Sequence, residues 1–234
     1  MIDTSTWRHA FKLDPDKDIT DEHLEALCES GTDAIIVGGT LGVTFDHTID
    51  LLSRIRRYAL PCILEISNRE AIVPGFDHYF IPVVLNAKNP KWLFEPHIEV
   101  IKELGTIIPW HDISTVGYCV LNRDSSVAKL TESDTELTVE DVLAYGRLAT
   151  HVLNLPYFYI EYSGVYGDIE LVKEVYGRLG KSENGKIQMI YGGGISDKRQ
   201  AEAMNGAADM IVVGNLIYEN IEAALQTVVK EEVE

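Results

Sequence analysis

Along the chain, short and nearly continuous apolar runs alternate with longer segments whose apolar positions recur every three or four residues. His9–Leu13 reads as the first strand. Asp21–Ser30 follows as a helix with Leu24, Leu27 and Cys28 on one face. Asp33–Val37 is a second strand, leading into Gly38-Gly39-Thr40. Thr44–Tyr58 is a helix with Ile49, Leu52 and Ile55 turned inward, and its Arg54, Arg56 and Arg57 read as a solvated face. Cys62–Ser67 and Tyr79–Leu85 are strands three and four. Helices at Pro90–Leu104, Val139–Asn154, Ile169–Leu179, Asp197–Met204 and Ile217–Val229 then alternate with strands at Thr115–Leu121, Tyr157–Tyr162, Ile187–Tyr191 and Asp209–Val213.

Strands that are apolar along their whole length, set between amphipathic helices, belong to a parallel sheet covered by helices. Eight such strands predict an α/β fold, a TIM (β/α)₈ barrel. One helix is lacking: the link between strands three and four contains Pro74-Gly75 and is too short for a helix with two loops. The barrel wall is expected to be open there. A barrel of this type needs about 250 residues, with roughly 200 as a floor. Residues 1–234 therefore read as a single domain, with no linker and an acidic end, Glu231–Glu234, that is expected to fray.

Charge narrows the partners. With 20 Lys and Arg against 37 Asp and Glu, the net charge of −17 argues against a general affinity for nucleic acid. A small phosphate must then find a local positive site: a lysine, a metal ion or backbone N–H groups. Cys28, Cys62 and Cys119 fit no metal or redox spacing and read as reduced core residues. The start Met1-Ile2-Asp3-Thr4 is not a signal peptide, and no apolar run approaches the ~20 residues of a membrane span. The expectation is a cytoplasmic protein.

Three groups of residues follow directly after strands, on the rim where such barrels keep their chemistry. Gly192-Gly193-Gly194 and Gly214-Asn215 follow strands seven and eight, the usual phosphate loops of the fold; the plain alternative is two ordinary turns. Lys12-Leu13-Asp14 closes strand one. Lys12 and Asp14 share a face, as a surface ion pair or as a phosphate-binding lysine beside a metal-binding aspartate. Asp14, Asp16 and Asp18 with Glu25 imitate a calcium loop, but Ile19 stands where that loop requires glycine. Thr40 offers a hydroxyl that can help Asp14 hold Mg²⁺. On strand six, Tyr159, Glu161 and Ser163 share a face, and a carboxylate on a buried strand is costly unless it is paired or functional.

Phe11-Lys12-Leu13-Asp14-Pro15, Gly38-Gly39-Thr40, Pro74-Gly75-Phe76-Asp77, Tyr159-Ile160-Glu161-Tyr162-Ser163-Gly164, Tyr191-Gly192-Gly193-Gly194-Ile195 and Val213-Gly214-Asn215 occur in this order. As a set, spread over nearly the whole chain, they resemble the geranylgeranylglyceryl/heptaprenylglyceryl phosphate synthase family, and its bacterial heptaprenyl branch in particular. The resemblance implies a TIM barrel with one helix replaced by irregular chain. It implies transfer of a polyprenyl group from its diphosphate to the 3-hydroxyl of sn-glycerol 1-phosphate. It assigns glycerol phosphate contacts to Lys12, Tyr159, Ile160, Glu161, Tyr162, Ser163, Gly164, Gly194, Gly214 and Asn215. Mg²⁺ falls to Asp14 and Thr40, and a homodimer is implied. Family members using shorter chains tend to close the tail groove with a bulky aromatic near Val100.

The chemistry suits these residues. Mg²⁺ offsets the charge of the leaving diphosphate, and Glu161 is the candidate general base. Two other readings use the same loops: a phosphosugar isomerase, epimerase or aldolase, and a non-catalytic sugar-phosphate binder. A product that leaves for the membrane also implies transient membrane contact.

Overall fold

The computed structural model of the chain describes residues 2–179 and 187–228. The strands are β1 His9–Leu13, β2 Ala34–Val37, β3 Cys62–Glu65, β4 His78–Val84, β5 Ile113–Val120, β6 Tyr157–Glu161, β7 Gln188–Gly192 and β8 Met210–Val213. All neighbouring pairs are parallel, and β8 pairs back onto β1, so the sheet closes as a TIM (β/α)₈-type barrel. Alternation along each strand divides the core in two. Ala10, Ile36, Ile63, Phe80, Tyr118, Tyr159, Ile190 and Met210 fill the barrel interior. Phe11, Ile35, Leu64, Cys119, Ile160, Met189 and Ile211 pack outward in the layer shared with the helices. That double burial is why these runs are apolar on both faces.

The helices are α1 Asp21–Glu29, α2 Phe45–Ile55, α3 Lys91–Leu104, α4 Ser126–Thr131, α5 Val139–Arg147, α6 Ile169–Leu179, α7 Lys198–Asn205, α8 Leu216–Glu219 and α9 Ile221–Leu225. Threonine caps start three of them: Thr20 accepts from the His23 N–H, Thr44 from the His47 N–H and Thr138 from the Asp141 N–H. Thr138 and Asp141 form a reciprocal capping box at α5. Between β3 and β4 there is only a single 3₁₀ turn, Arg69–Ala71, closed by the Asn68 side chain. The helix lacking after strand three is therefore lacking in the structure as well.

Several expectations are corrected. The inner face of α2 is Thr48, Leu51, Leu52 and Ile55, whereas Ile49 is exposed. The three arginines do form the solvated face, pairing with Asp21 and Asp77. The expected helix Val139–Asn154 ends in a π turn at Leu148–Val152. The last helix is broken at Asn220, whose extended backbone ends α8 and whose side chain caps α9. Val229 at its expected end and Glu231–Glu234 lie outside the described residues. Helix α4 was not anticipated. Helix α3, where a stripe of Leu93, His97, Val100 and Leu104 at helical spacing would by default be core, buries none of its residues. The stripe is half-buried, and His97 reaches β4 by donating from Nε2 to the Pro82 carbonyl, 3.1 Å away. With no helix between β3 and β4, α3 lacks a neighbour to bury it on that side. Cys28, Cys62 and Cys119 are free and buried.

Candidate active site

Strand polarity brings the sequence-derived site residues to one end of the barrel. Lys12 projects inward from β1, and its Nζ lies 2.6 Å from Glu65 Oε1 on β3. Glu65 is buried, and its Oε2 accepts from the Tyr118 hydroxyl on β5. Tyr118 in turn stacks on Tyr159 of β6, with ring centroids 4.4 Å apart and an interplanar angle of 12°. Glu161, at the end of β6, is 4 % exposed and accepts at Oε1 from the Ser163 N–H at 2.6 Å and hydroxyl at 2.7 Å. Tyr159, Glu161 and Ser163 thus act on one face, as alternation required. Ile160 points outward into the helix layer. Tyr162 packs against Tyr191, outside the barrel interior. Ser163 and Gly164 are exposed on the rim, where Asn122 donates to the Ser163 carbonyl at 2.6 Å.

Electrostatics follow from burial. Desolvation raises the Glu161 carboxyl above its ordinary value, and Glu65 adds to this, while Lys12 and the Ser163 hydrogen bonds oppose it. For Lys12, burial works against the ammonium, but Glu65, Glu161 and Asp14 together outweigh it and the net shift is upward. Burial and the nearby carboxylates hold the Tyr118 and Tyr159 phenols well above the usual range, so both remain neutral donors.

The glycine turns have a packing reason as well as a chemical one. A side chain at Gly192 would strike the Tyr159 hydroxyl, and one at Gly193 the Tyr162 Cβ. Gly194 has φ +41°, and its backbone lies against Val165 and Tyr166. The turn after β7 is shaped to lie on the loop after β6. The positive end of α7 is capped by Asp197, which accepts from the Gln200 N–H at 2.8 Å. Gly214 borders Lys12, and Asn215 accepts from Lys17 at 3.1 Å. The two phosphate-loop candidates therefore flank Lys12 and Glu161.

Gly38 and Gly39 leave room for two carboxylates. A Cβ on Gly38 would come 2.9 Å from the Glu65 Cβ, and one on Gly39 would collide with Asp14. Asp14 is thereby seated against the residue preceding Thr40. Thr40 lines a cavity of about 730 Å³ together with Gly42, Thr44, Asn68, Arg69 and Glu70, at the open wall after β3. Asp14 is not among the residues lining that cavity; a carboxylate and a hydroxyl are nonetheless oxygen donors of the kind Mg²⁺ takes, since it keeps few protein ligands and fills its shell with phosphate and water. Among the described residues, no cluster of three or more His, Cys, Asp or Glu side chains forms a closed metal cage.

Sequence reasoning missed Glu65, Tyr118 and Asn122. Glu65 gave the same signal as Glu161, a carboxylate in an apolar strand. Tyr118 gave none, because its role depends on neighbours from two other strands.

A closed parallel barrel with a half-buried lysine and buried carboxylates at its C-terminal mouth, beside two glycine loops, defines a TIM-barrel enzyme of the phosphate-binding class. The particular family is shown by comparison: residues 2–232 match the PcrB family, and the chain belongs to it. Heptaprenylglyceryl phosphate synthase of Bacillus cytotoxicus is 57% identical over 97% of both chains. The protein of that name from Bacillus thuringiensis is 55% identical over the same shares. Among solved structures, (S)-3-O-geranylgeranylglyceryl phosphate synthase from Thermoplasma acidophilum, in complex with its substrate sn-glycerol-1-phosphate, superposes with a TM-score of 0.81. It is 23% identical, over 97% of this chain and 94% of that one, and so speaks to fold. A thiamine phosphate pyrophosphorylase from Pyrococcus furiosus matches at a TM-score of 0.56 and 15% identity, over 95% and 94%.

Proposed function

We propose that this chain is a prenyltransferase that moves a heptaprenyl group from its diphosphate to the 3-hydroxyl of sn-glycerol 1-phosphate. The observation that carries the reading is the centre at the mouth in which half-buried Lys12 meets the buried Glu65 and Glu161, beside the loops after β7 and β8. The names of the Bacillus relatives supply the product, a heptaprenylglyceryl phosphate, and the Thermoplasma acidophilum enzyme is named with sn-glycerol-1-phosphate as its substrate. The allylic C–O bond breaks and the diphosphate leaves with its electron pair. The glycerol 3-oxygen forms the new C–O bond, and its proton passes to Glu161. Both Ser163 hydrogen bonds fall on Oε1, so Oε2 is the oxygen assigned to take that proton. A carboxyl raised by burial accepts a proton more readily than one in water.

Lys12 contributes charge to the glycerol phosphate, with Tyr159, Ile160, Tyr162, Ser163, Gly164, Gly194, Gly214 and Asn215 around it. Because the Ile160 side chain points outward, any contact it makes runs through its backbone. Asp14 and Thr40 would hold Mg²⁺, which when bound offsets the charge of the leaving diphosphate. An aldolase requires an inward lysine on a middle strand; the inward residue at the end of β6 is Glu161. The carboxylate of Asp14 and the hydroxyl of Thr40, two oxygen donors following β1 and β2, likewise speak for chemistry over simple sugar-phosphate binding.

The homodimer belongs to the same proposal. Phe94, Ile98 and Ile101 form an exposed apolar face on α3, with Ile107 and Trp110 beyond it. Among the described residues no helix is long and apolar enough to cross a membrane. We assign the enzyme to the cytoplasm, with transient membrane contact when product leaves. The test is direct: purified protein, sn-glycerol 1-phosphate, Mg²⁺ and labelled polyprenyl diphosphates should yield a lipid-soluble phosphate ester. No such product with any chain length would refute the proposal.

A further inference from the structure

We propose that Glu65 is a positioning residue, holding the Lys12 ammonium at the barrel mouth and away from Glu161. This deepens the function proposed above and rests on it.

The two Glu65 oxygens are both engaged. Oε1 accepts from Lys12 at 2.6 Å, and Oε2 accepts from the Tyr118 hydroxyl. Tyr118 is itself fixed by its stack on Tyr159. The carboxylate is thus oriented from a second strand and cannot rotate freely. Gly38 makes the space: a Cβ there would press on the Glu65 Cβ and lie 3.4 Å from Oε1.

The lysine needs such a hold. Its four-carbon stem is flexible and its ammonium is a point charge without directional preference. Glu65, Glu161 and Asp14 all act on it electrostatically. An ammonium free to choose can settle on Glu161, where it would occupy the oxygen needed for the substrate proton. It can also settle on Asp14, where it would compete with a cation. Glu65 removes both options. A purely structural role explains less. Buried ion pairs contribute little net stability, because desolvation consumes much of the attraction. The pair is also not sealed in, since the Lys12 side chain keeps 22% exposure towards the mouth.

The experiment is a double-mutant cycle with steady-state kinetics on the full chain. Glu65→Gln keeps the shape and removes the charge. It should lower kcat/KM for sn-glycerol 1-phosphate about tenfold or more, as expected when a charge-assisted hydrogen bond is lost. The KM for heptaprenyl diphosphate should stay within about twofold. In a Lys12→Ala background, Glu65→Gln should add less than roughly twofold, because the residue it positions is gone. Tyr118→Phe, which leaves both charges in place, should show the same pattern at about threefold. It decides the matter if Glu65→Gln does not fold. Wild-type kinetics in Glu65→Gln, or in Tyr118→Phe where that variant decides, overturns the proposal. So does a double variant whose loss is the product of the two single losses. Absence of product from the wild-type enzyme would instead strike the function itself.

Discussion

The two ends of the barrel bury polar groups in opposite ways. At the N-terminal end, His9 sits between the Thr32 hydroxyl at 2.8 Å and the Thr227 hydroxyl at 3.0 Å. Thr4 and Tyr157 share a hydrogen bond of 2.7 Å, and Gln188 donates to the Thr4 carbonyl. Asp33 accepts from the backbone N–H groups of Arg8 and His9, and Asp209 from that of Met189. Most of these partners are uncharged and fixed, although His78 Nδ1 is buried without a hydrogen-bond partner. At the C-terminal end, the buried groups are charges clustered around one lysine. Single carboxylates each met by backbone N–H groups and neutral side-chain pairs are cheap to bury, whereas charges gathered around one another are costly. The first arrangement serves stability, and the second makes sense where chemistry requires it.

Glu161→Gln is expected to break that contrast most sharply. It should lower kcat by about 10²–10⁴, the usual contribution of a general base. Stability should hold or rise, because a buried carboxyl is replaced by a neutral amide. The pH dependence gives a second check. The folded value for Glu161 lies above its unfolded value. Its contribution to stability is therefore present below the unfolded pKa and lost as pH rises through the folded one. Activity runs the other way, rising as the carboxyl ionises over the same window. A Glu161→Gln enzyme with wild-type turnover would remove this residue from the mechanism.

Next in size are two substitutions at the mouth. Lys12→Ala should cost roughly 1.5–3 kcal/mol in glycerol phosphate binding, measured by calorimetry. Asp14→Asn should leave that affinity nearly intact and raise the Mg²⁺ concentration needed for half-maximal rate. An unchanged metal titration would show that Asp14 is not a ligand.

The N-terminal end predicts the reverse pattern. Burial lowers the His9 imidazole to about 3. The group is neutral when folded, so its contribution is present above the unfolded value of about 6.5 and lost as pH falls from there towards 3. His9→Gln should destabilise the fold by about 1–3 kcal/mol near neutrality, with kcat unchanged. Its melting temperature should also fall less on acidification than that of the wild type. Parallel acid slopes for the two proteins would contradict the assignment.

The sequence made the barrel readable where burial alone determines pattern. Runs such as AIIV and MIVV are apolar because both of their faces are covered. Pattern failed where one polar side chain reset the backbone. Asn220 ends one helix and caps the next, and Ser125 starts α4 by accepting from the Ala128 N–H. Both are cap residues that could have been recognised as such. At the site, Lys12, Asp14 and Glu161 were legible from their position after or within strands. The Glu65–Lys12 pair was not, because strands β1 and β3 are joined only through the closed sheet. The glycine run 192–194 was legible as a turn, but its packing against Tyr159 and Tyr162 was not.

The smallest effect is expected at a third region, the open wall between the two ends. Here neither polar network applies, and shape should matter more than charge. Helix α3 turns Leu93, His97, Val100 and Leu104 towards the barrel only partway, and His97 fixes that orientation through the Pro82 carbonyl. A heptaprenyl tail is apolar throughout, and each buried CH₂ contributes about 0.8 kcal/mol before ordering costs. The far end of the groove can therefore select chain length by room alone. Val100 is small and half-buried, so Val100→Trp adds bulk without adding charge. The expected result is a shift of roughly threefold or more in the kcat/KM ratio towards geranylgeranyl over heptaprenyl diphosphate. Glycerol phosphate affinity should stay within error, since Lys12 and Glu161 are untouched. Product analysis with mixed-length diphosphates measures the ratio. An unchanged length profile in a folded Val100→Trp enzyme would place the tail elsewhere along the open wall, leaving the charged mouth and its chemistry as they stand.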